Sequence, residues 1–404
     1  MADTVRRTTL SRPAAFWAVA VLLVLMLAAS GVPSPLYRVY AAQFGFGSGM
    51  LTVVFAVYAF ALLLSLLVVG GLSDHVGRRP VLAVALVVEA AAMAMFLLAD
   101  GVGWLLAARV VQGLATGAMT GTFGAALLDT QRSERPLGPL VNAAAPGLGL
   151  SLGAVGAGLA VEFLPAATDW VFGSLTVLCL LAAAGVLALP ETSPRLAGAA
   201  ASLRPSVHVP VPQRRAFLVV LPGLVATWAL GGLYASLGPS LVVDVFGVDD
   251  HVVGSLVVLA LNGTGLVGSL AGRGLAPDRA MTRGALVFVV GVGGTVVTLA
   301  AGSLAGFFVA AVVSGAGFGA AFLGAMDTVT DGVAPGRRAG LLSAVFTVSY
   351  LAFSVPAIAA GVAAGYVGLT ATAQVYGAVV IVLTVLAVAG LAVHRRRAPA
   401  PAPA

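Results

Sequence analysis

The sequence predicts an all-α membrane protein of twelve transmembrane helices arranged as two six-helix, pseudo-symmetric halves. Three observations predict it. The 404 residues are 60% hydrophobic and only 9% charged, whereas a soluble domain carries about 25% charged residues. Mean hydropathy is +1.07, so lipid must be the solvent for most of the surface. The apolar residues gather in twelve runs long enough to cross a bilayer. Finally, the chain matches itself at an offset of 202 residues.

The runs fall near 14–36, 50–69, 81–99, 103–128, 138–161 and 169–189, then 215–240, 252–271, 284–302, 304–328, 340–363 and 371–393. They lack the alternation of membrane barrel strands and read as helices. The first imitates a secretory signal, with Arg6, Arg7 and Arg12 ahead of an apolar run ending Leu27-Ala28-Ala29-Ser30. It continues through Val32 towards Tyr40, longer than a signal core, and is read as span 1.

All 21 basic residues are arginine. Nineteen of them lie in the N-terminal segment, the links after even-numbered spans, and the C-terminus. These include Arg78 and Arg79, Arg132 and Arg135, Arg195 to Arg215, Arg337 and Arg338, and Arg395 to Arg397. The positive-inside rule therefore places both termini in the cytosol. The exceptions are Arg38, at the outer end of span 1, and Arg109, within span 4. The net charge of +6 is thus explained by a membrane, and no nucleic-acid partner is expected. The one cysteine, Cys179, rules out an internal disulfide, and the four histidines are scattered, so no metal site is read. No cofactor is expected.

Residues 191–213 carry Pro194, Pro205, Pro210 and Pro212 and read as a flexible cytoplasmic linker. It separates an N-terminal bundle, 1–190, from a C-terminal bundle, 214–394, and the Ala-Pro tail, 395–404, reads as disordered. The repeat pairs Phe44-Gly45 with Phe246-Gly247, Arg12 with Arg214, Gly70 with Gly272 and Asp129 with Asp331. Matches among charged and Phe-Gly positions at one common offset carry more weight than matches among glycines and alanines.

Between spans 2 and 3 stands Gly70-Gly71-Leu72-Ser73-Asp74-His75-Val76-Gly77-Arg78-Arg79-Pro80-Val81-Leu82. Helix breaks and arginines alone belong to any cytoplasmic link. The acid four residues ahead of the first arginine, with glycines at both ends, asks for more. The pattern G-x-L-x-D-x-x-G-R-R-x-x-L resembles the signature loop of the major facilitator superfamily of secondary transporters, with His75 where arginine is commoner. The equivalent loop at Gly272 to Ala280 has Ala276 in place of Asp74.

The resemblance implies an alternating-access transporter with its substrate site between the halves near mid-membrane. It implies a conformational gate of Gly71, Asp74, Gly77, Arg78, Arg79 and Asp129. Asp74 would meet the start of span 11, near Gly340, and Arg78 would pair with Asp129. In span 4, Leu105-x-x-x-Arg109-x-x-Gln112-Gly113 resembles a second family motif whose arginine is associated with proton coupling. Arg109, Gln112, Thr116 and Thr120 share one helical face. An arginine at a helix centre costs at least about 2.5 kcal/mol, so Arg109 either faces a wet cavity or snorkels outward. Glu89, the one carboxyl clearly inside a span, either pairs with Arg109, carries the coupling proton, or is a structural hydrogen-bonding group.

The resemblance implies that spans 1, 4, 7 and 10 face the central path, which makes Ser34, Tyr37, Gln112, Trp228, Tyr234, Ser314 and Phe318 cavity candidates, with Tyr58, Asn142, Asn262 and Tyr350 from the flanking spans. Aromatic groups with a few polar ones suit an amphipathic organic solute, although helix packing accounts for any one of them singly. The reading is proton-coupled efflux of a small organic or drug-like molecule by a monomer in the inner (plasma) membrane, with no enzymatic activity. Uptake of a small metabolite by symport or uniport is the alternative; a membrane-embedded enzyme would show convergent His, Asp or Ser clusters and a sensor a soluble output domain, and neither is read. Two departures weaken the exporter reading without touching the fold: span 5 has Ala154 where the exporter motif of the family carries proline, and span 1 lacks the acid of many multidrug exporters.

Overall fold

A computed structural model describes residues 9–134 and 136–397. Among them, twelve helices are long and apolar enough to cross a membrane. Spans 1 to 6 are Arg12–Phe44, Ser48–Val69, Arg78–Leu97, Val102–Thr130, Gly138–Phe163 and Ala167–Val186. Spans 7 to 12 are Val211–Phe246, His251–Gly272, Pro277–Ala301, Leu304–Thr330, Arg337–Val367 and Leu369–Val393. Each overlaps one of the twelve runs read from the sequence. The final helix continues to Arg397, taking in residues 395–397 that the sequence reading gives to the disordered tail. Residues 398–404, Arg6, Arg7 and Arg135 lie outside the described residues.

The chain divides into two compact units. The first is Met1–Gly45 with Val57–Pro205, and the second is Phe46–Ala56 with Ser206–Ala404. Span 2 is therefore shared between them. Along the spans, large apolar side chains stand exposed at Val21, Leu64, Val84, Leu181, Val267, Val290 and Val309. An apolar surface of this extent belongs in lipid.

Span 1 is two helices, Arg12–Gly31 and Pro33–Phe44, meeting at Val32. Pro33 and Pro35 each lack an N–H, so the helical ladder cannot continue through the joint. Beside it, span 5 lies close enough that a Cβ on Gly31 would strike the Leu150 backbone, and one on Gly153 would strike the Ala28 carbonyl. The core of the first unit is built from Phe16, Val19, Leu23, Met26, Leu86, Met119, Phe123 and Val186.

The second unit relies on the same device. A Cβ on Gly319 would strike the Gly265 carbonyl of span 8, and one on Gly317 would strike the Phe288 backbone of span 9. Small residues on span 10 thus let two helices approach it at once. Lipid supplies no hydrophobic force between helices, so such close van der Waals packing carries much of the association. Gly319→Leu is expected to lower the melting midpoint of the purified protein in detergent, overpacking costing about 1–3 kcal/mol. Gly293→Leu, at a glycine facing open space, should leave it unchanged.

Candidate functional site

Two polar groupings stand in the first unit, one at the start of span 3 and one within the bundle. At the first, the loop after span 2 forms a single helical turn, Ser73–Val76, ended by Gly77. Gly77 has φ 117°, a conformation open to glycine, and a Cβ there would lie 2.6 Å from Glu191 Oε2. Gly71 has neither requirement, since nothing lies within 4 Å of its would-be Cβ.

Arg78 is buried and gathers the loop around itself. It pairs with Asp74 Oδ1 at 2.5 Å and with Asp129 Oδ2 at 3.3 Å. Its Nη1 also donates to Ser73 Oγ at 2.7 Å. Thr192 donates to Asp129 Oδ2 at 2.9 Å. The start of span 3 is capped from a distance, because Gly77 has no side chain to do so. Glu191 accepts from the Arg78 N–H at 2.8 Å and from the Arg79 N–H at 3.2 Å. A carboxylate there satisfies two unpaired donors and meets the positive end of the helix. The Arg79 guanidinium donates to the Leu187 carbonyl.

Ser193 Oγ and the Leu196 N–H both donate to the Asp74 carbonyl at 3.0 Å. The linker, read from its prolines as flexible, is thus tied to the loop at its leading end. Glu191, Thr192 and Ser73 thus join the gate residues that the signature loop implies. The available signal was Pro190-Glu191-Thr192, an acid directly after a span.

The second grouping surrounds Arg109, which is 1% exposed. That burial excludes snorkelling. Its Nε donates to the Tyr37 hydroxyl and its Nη1 to Gln112 Oε1. Its Cζ lies 4.8 Å from the Tyr58 ring centre, 5.1 Å from that of Tyr37 and 5.9 Å from that of Phe96. Cation–π contact with three rings replaces part of the lost hydration. Gln112 Nε2 donates to Glu89 Oε1 and to the Ala29 carbonyl, each at 3.1 Å.

Glu89 and Arg109 form no direct ion pair; the Gln112 amide stands between them. Glu89 is fully buried, and its Oε2 has no hydrogen-bond partner. Thr116 and Thr120 bond the carbonyls of Gln112 and Thr116 in their own helix, and Ser30 Oγ lies 3.5 Å from Thr116 Oγ1.

The cavity candidates separate by surroundings. Tyr37, Tyr58 and Gln112 belong to the Arg109 grouping. In the second unit, Trp228 meets Tyr350 at 5.1 Å and Phe322 and Phe353 at 5.9 Å, edge to face. Phe318 stacks on Phe322 at 6.3 Å. Trp228 Nε1 is buried without a hydrogen-bond partner. Tyr234 packs instead in the core, donating to or accepting from Thr295 at 2.8 Å and stacking on Phe307. Asn262 donates to the Val258 carbonyl of its own helix at 3.0 Å, and Asn142 is exposed. Ser34 is buried, and Ser314 is packed against Gly291 of span 9.

The family model described as Major Facilitator Superfamily matches residues 19–357. The chain belongs to this superfamily. Solved structures of similar fold include a nucleoside transporter, NupG, at 12% identity and TM-score 0.72, covering 93% of this chain and 99% of that one. A bacterial homologue of the human lysosomal transporter Spinster, inward-facing and unoccupied, aligns at 14% identity and TM-score 0.73, covering 97% and 99%. The human organic anion transporter MFSD10 aligns at 19% identity and TM-score 0.58, covering 93% and 99%. These likenesses establish the twelve-helix fold of the superfamily.

Replacing Glu191 by Ala should lower the detergent melting midpoint by removing the cap of span 3, a loss of about 0.5–2 kcal/mol. Glu191→Gln, which retains acceptor oxygen, should lower it less.

Proposed function

We propose that this membrane protein is a secondary active transporter that exports small organic, drug-like molecules in exchange for protons by alternating access. The observation that carries the reading is the buried sequence Arg109, Gln112, Glu89. A guanidinium and a carboxyl deep among apolar helices are costly in lipid and mark functional pathways. Here a single amide joins them, and one carboxyl oxygen is left without a partner. Glu89 is the proton carrier in this reading, and Arg109 is the fixed positive charge across the Gln112 amide from it.

The second unit supplies the solute contacts. Trp228, Phe318 and Tyr350 offer faces and edges for an apolar ring, and Trp228 Nε1 offers a donor. The proposed bodies are 1–190 and 214–394, joined by 191–213, with both termini in the cytosol of a cell whose inner (plasma) membrane holds the protein as a monomer. The Asp74–Arg78–Asp129 grouping is the gate. In one state Asp74 meets the beginning of span 11, and in the other that contact breaks.

Proton entry contributes about 2.3 kcal/mol per 100 mV, whereas inverting a 1:99 ratio of states takes about 5.5 kcal/mol. One proton biases the cycle, and a concentration gradient or substrate binding must add the rest. Ala154 and the absence of an acid in span 1 weigh against export, and the second reading is uptake by symport or uniport.

Export is to be measured in everted vesicles with a compound identified by a growth screen of an overexpressing strain. It should collapse when the pH gradient is dissipated; transport that persists would support facilitated diffusion instead. Asp74→Asn should insert and accumulate normally while losing most transport. Full transport by that variant would remove the gate from the account.

A further inference from the structure

The proline joint in span 1 leaves a specific debt. In an uninterrupted helix the Ala29 carbonyl would accept from the N–H of residue 33, and Pro33 has none. The Gln112 side chain fills that vacancy, its Nε2 donating to the Ala29 carbonyl at 3.1 Å. Three residues earlier on span 4, Arg109 donates to the Tyr37 hydroxyl, which belongs to the helix beyond the joint. Span 4 therefore holds span 1 on both sides of its break. The same Nε2 donates its other hydrogen to Glu89 Oε1 at 3.1 Å, and Gln112 Oε1 accepts from Arg109. Every hydrogen-bonding position of the amide nitrogen is used, and its plane is fixed from three directions.

We infer that Gln112 is a positioning residue that reports the protonation of Glu89 to the joint in span 1. The inference rests on the proton-coupling reading above and names the residue through which the coupling runs. A hydrogen bond to a charged carboxylate is roughly twice as strong as one to a neutral group. With Glu89 charged, the amide is held in the plane that also caps Ala29. With Glu89 protonated, that hold weakens. The two hydrogens of one planar amino group move together, so the cap on Ala29 loosens with it. The joint then keeps its tie at Tyr37 and loses the one at Ala29, which lets the first helix of span 1 swing about Val32.

The ionisable groups around Glu89 are Arg109 of span 4, Tyr58 of span 2 and Cys179 of span 6, with Tyr37 of span 1 bonded to Arg109. Arg109 supplies the opposite charge. It holds Tyr37 whichever form Glu89 takes.

Hydrogen–deuterium exchange of the span 1 peptide around the joint tests this, on full-length protein in detergent at several pH values with intrinsic exchange corrected. In the unaltered protein, protection should fall by at least about threefold on acidification. Glu89→Gln, fixed in the neutral form, should show low protection at every pH, and so should Gln112→Leu. Pro33→Ala in the Gln112→Leu background restores a backbone donor for Ala29 and should recover protection without recovering its pH dependence. This double variant also serves if Gln112→Leu alone accumulates poorly. A pH response that survives in Gln112→Leu, or no response in the unaltered protein, overturns the inference. If the response behaves as described while vesicle export ignores the pH gradient, the joint mechanism stands and the antiport reading fails.

Discussion

The structure of the first unit depends on keeping one guanidinium charged inside a bundle of apolar helices. Arg109 is 1% exposed, and among the described residues no carboxylate pairs with it. What it has is the Tyr37 hydroxyl, the Gln112 carbonyl oxygen and three ring faces. A buried charge that loses its partners costs several kcal/mol, so the elements that present those partners are constrained together. Span 1 must bring Tyr37, span 2 Tyr58 and span 3 Phe96. The glycines that let spans 1 and 5 touch, and the prolines that break span 1, make that convergence geometrically feasible.

The second polar grouping follows the same physics at the edge of the bundle. Arg78 is buried between Asp74 and Asp129, while Glu191 satisfies the free N–H groups that begin span 3. The signature loop is thus anchored inside its own unit by residues from spans 3 and 4 and from the segment after span 6. A gate built this way has a fixed base. In the proposed cycle Asp74, half exposed, is the part left to make and break contacts.

Much of this was legible in the sequence. Twelve spans followed from run length and composition, because lipid imposes one length on every crossing helix. Arg109, Gln112 and Thr116 followed as one face from spacings of three and four, and the pairing of Arg78 with Asp129 followed from the resemblance. Other parts were hidden. Tyr234 faces the core and Trp228 an aromatic cluster, yet helices that are apolar all round give no period to tell the two directions apart. The capping of span 3 by Glu191 joins residues over a hundred positions apart, and no local pattern announces it. Pro33 was visible, but the orphaned Ala29 carbonyl acquires meaning only once Gln112 is seen opposite it.

Proton-coupled transport of the proposed kind requires Glu89 to exchange a proton across the Gln112 amide from Arg109. Infrared difference spectroscopy of the purified protein, recorded between alkaline and acidic buffer, reads this without knowledge of the substrate. The account predicts a carboxylic-acid carbonyl band that grows on acidification in the unaltered protein and is missing in Glu89→Gln. A spectrum in which Glu89→Gln removes no titrating band would contradict it.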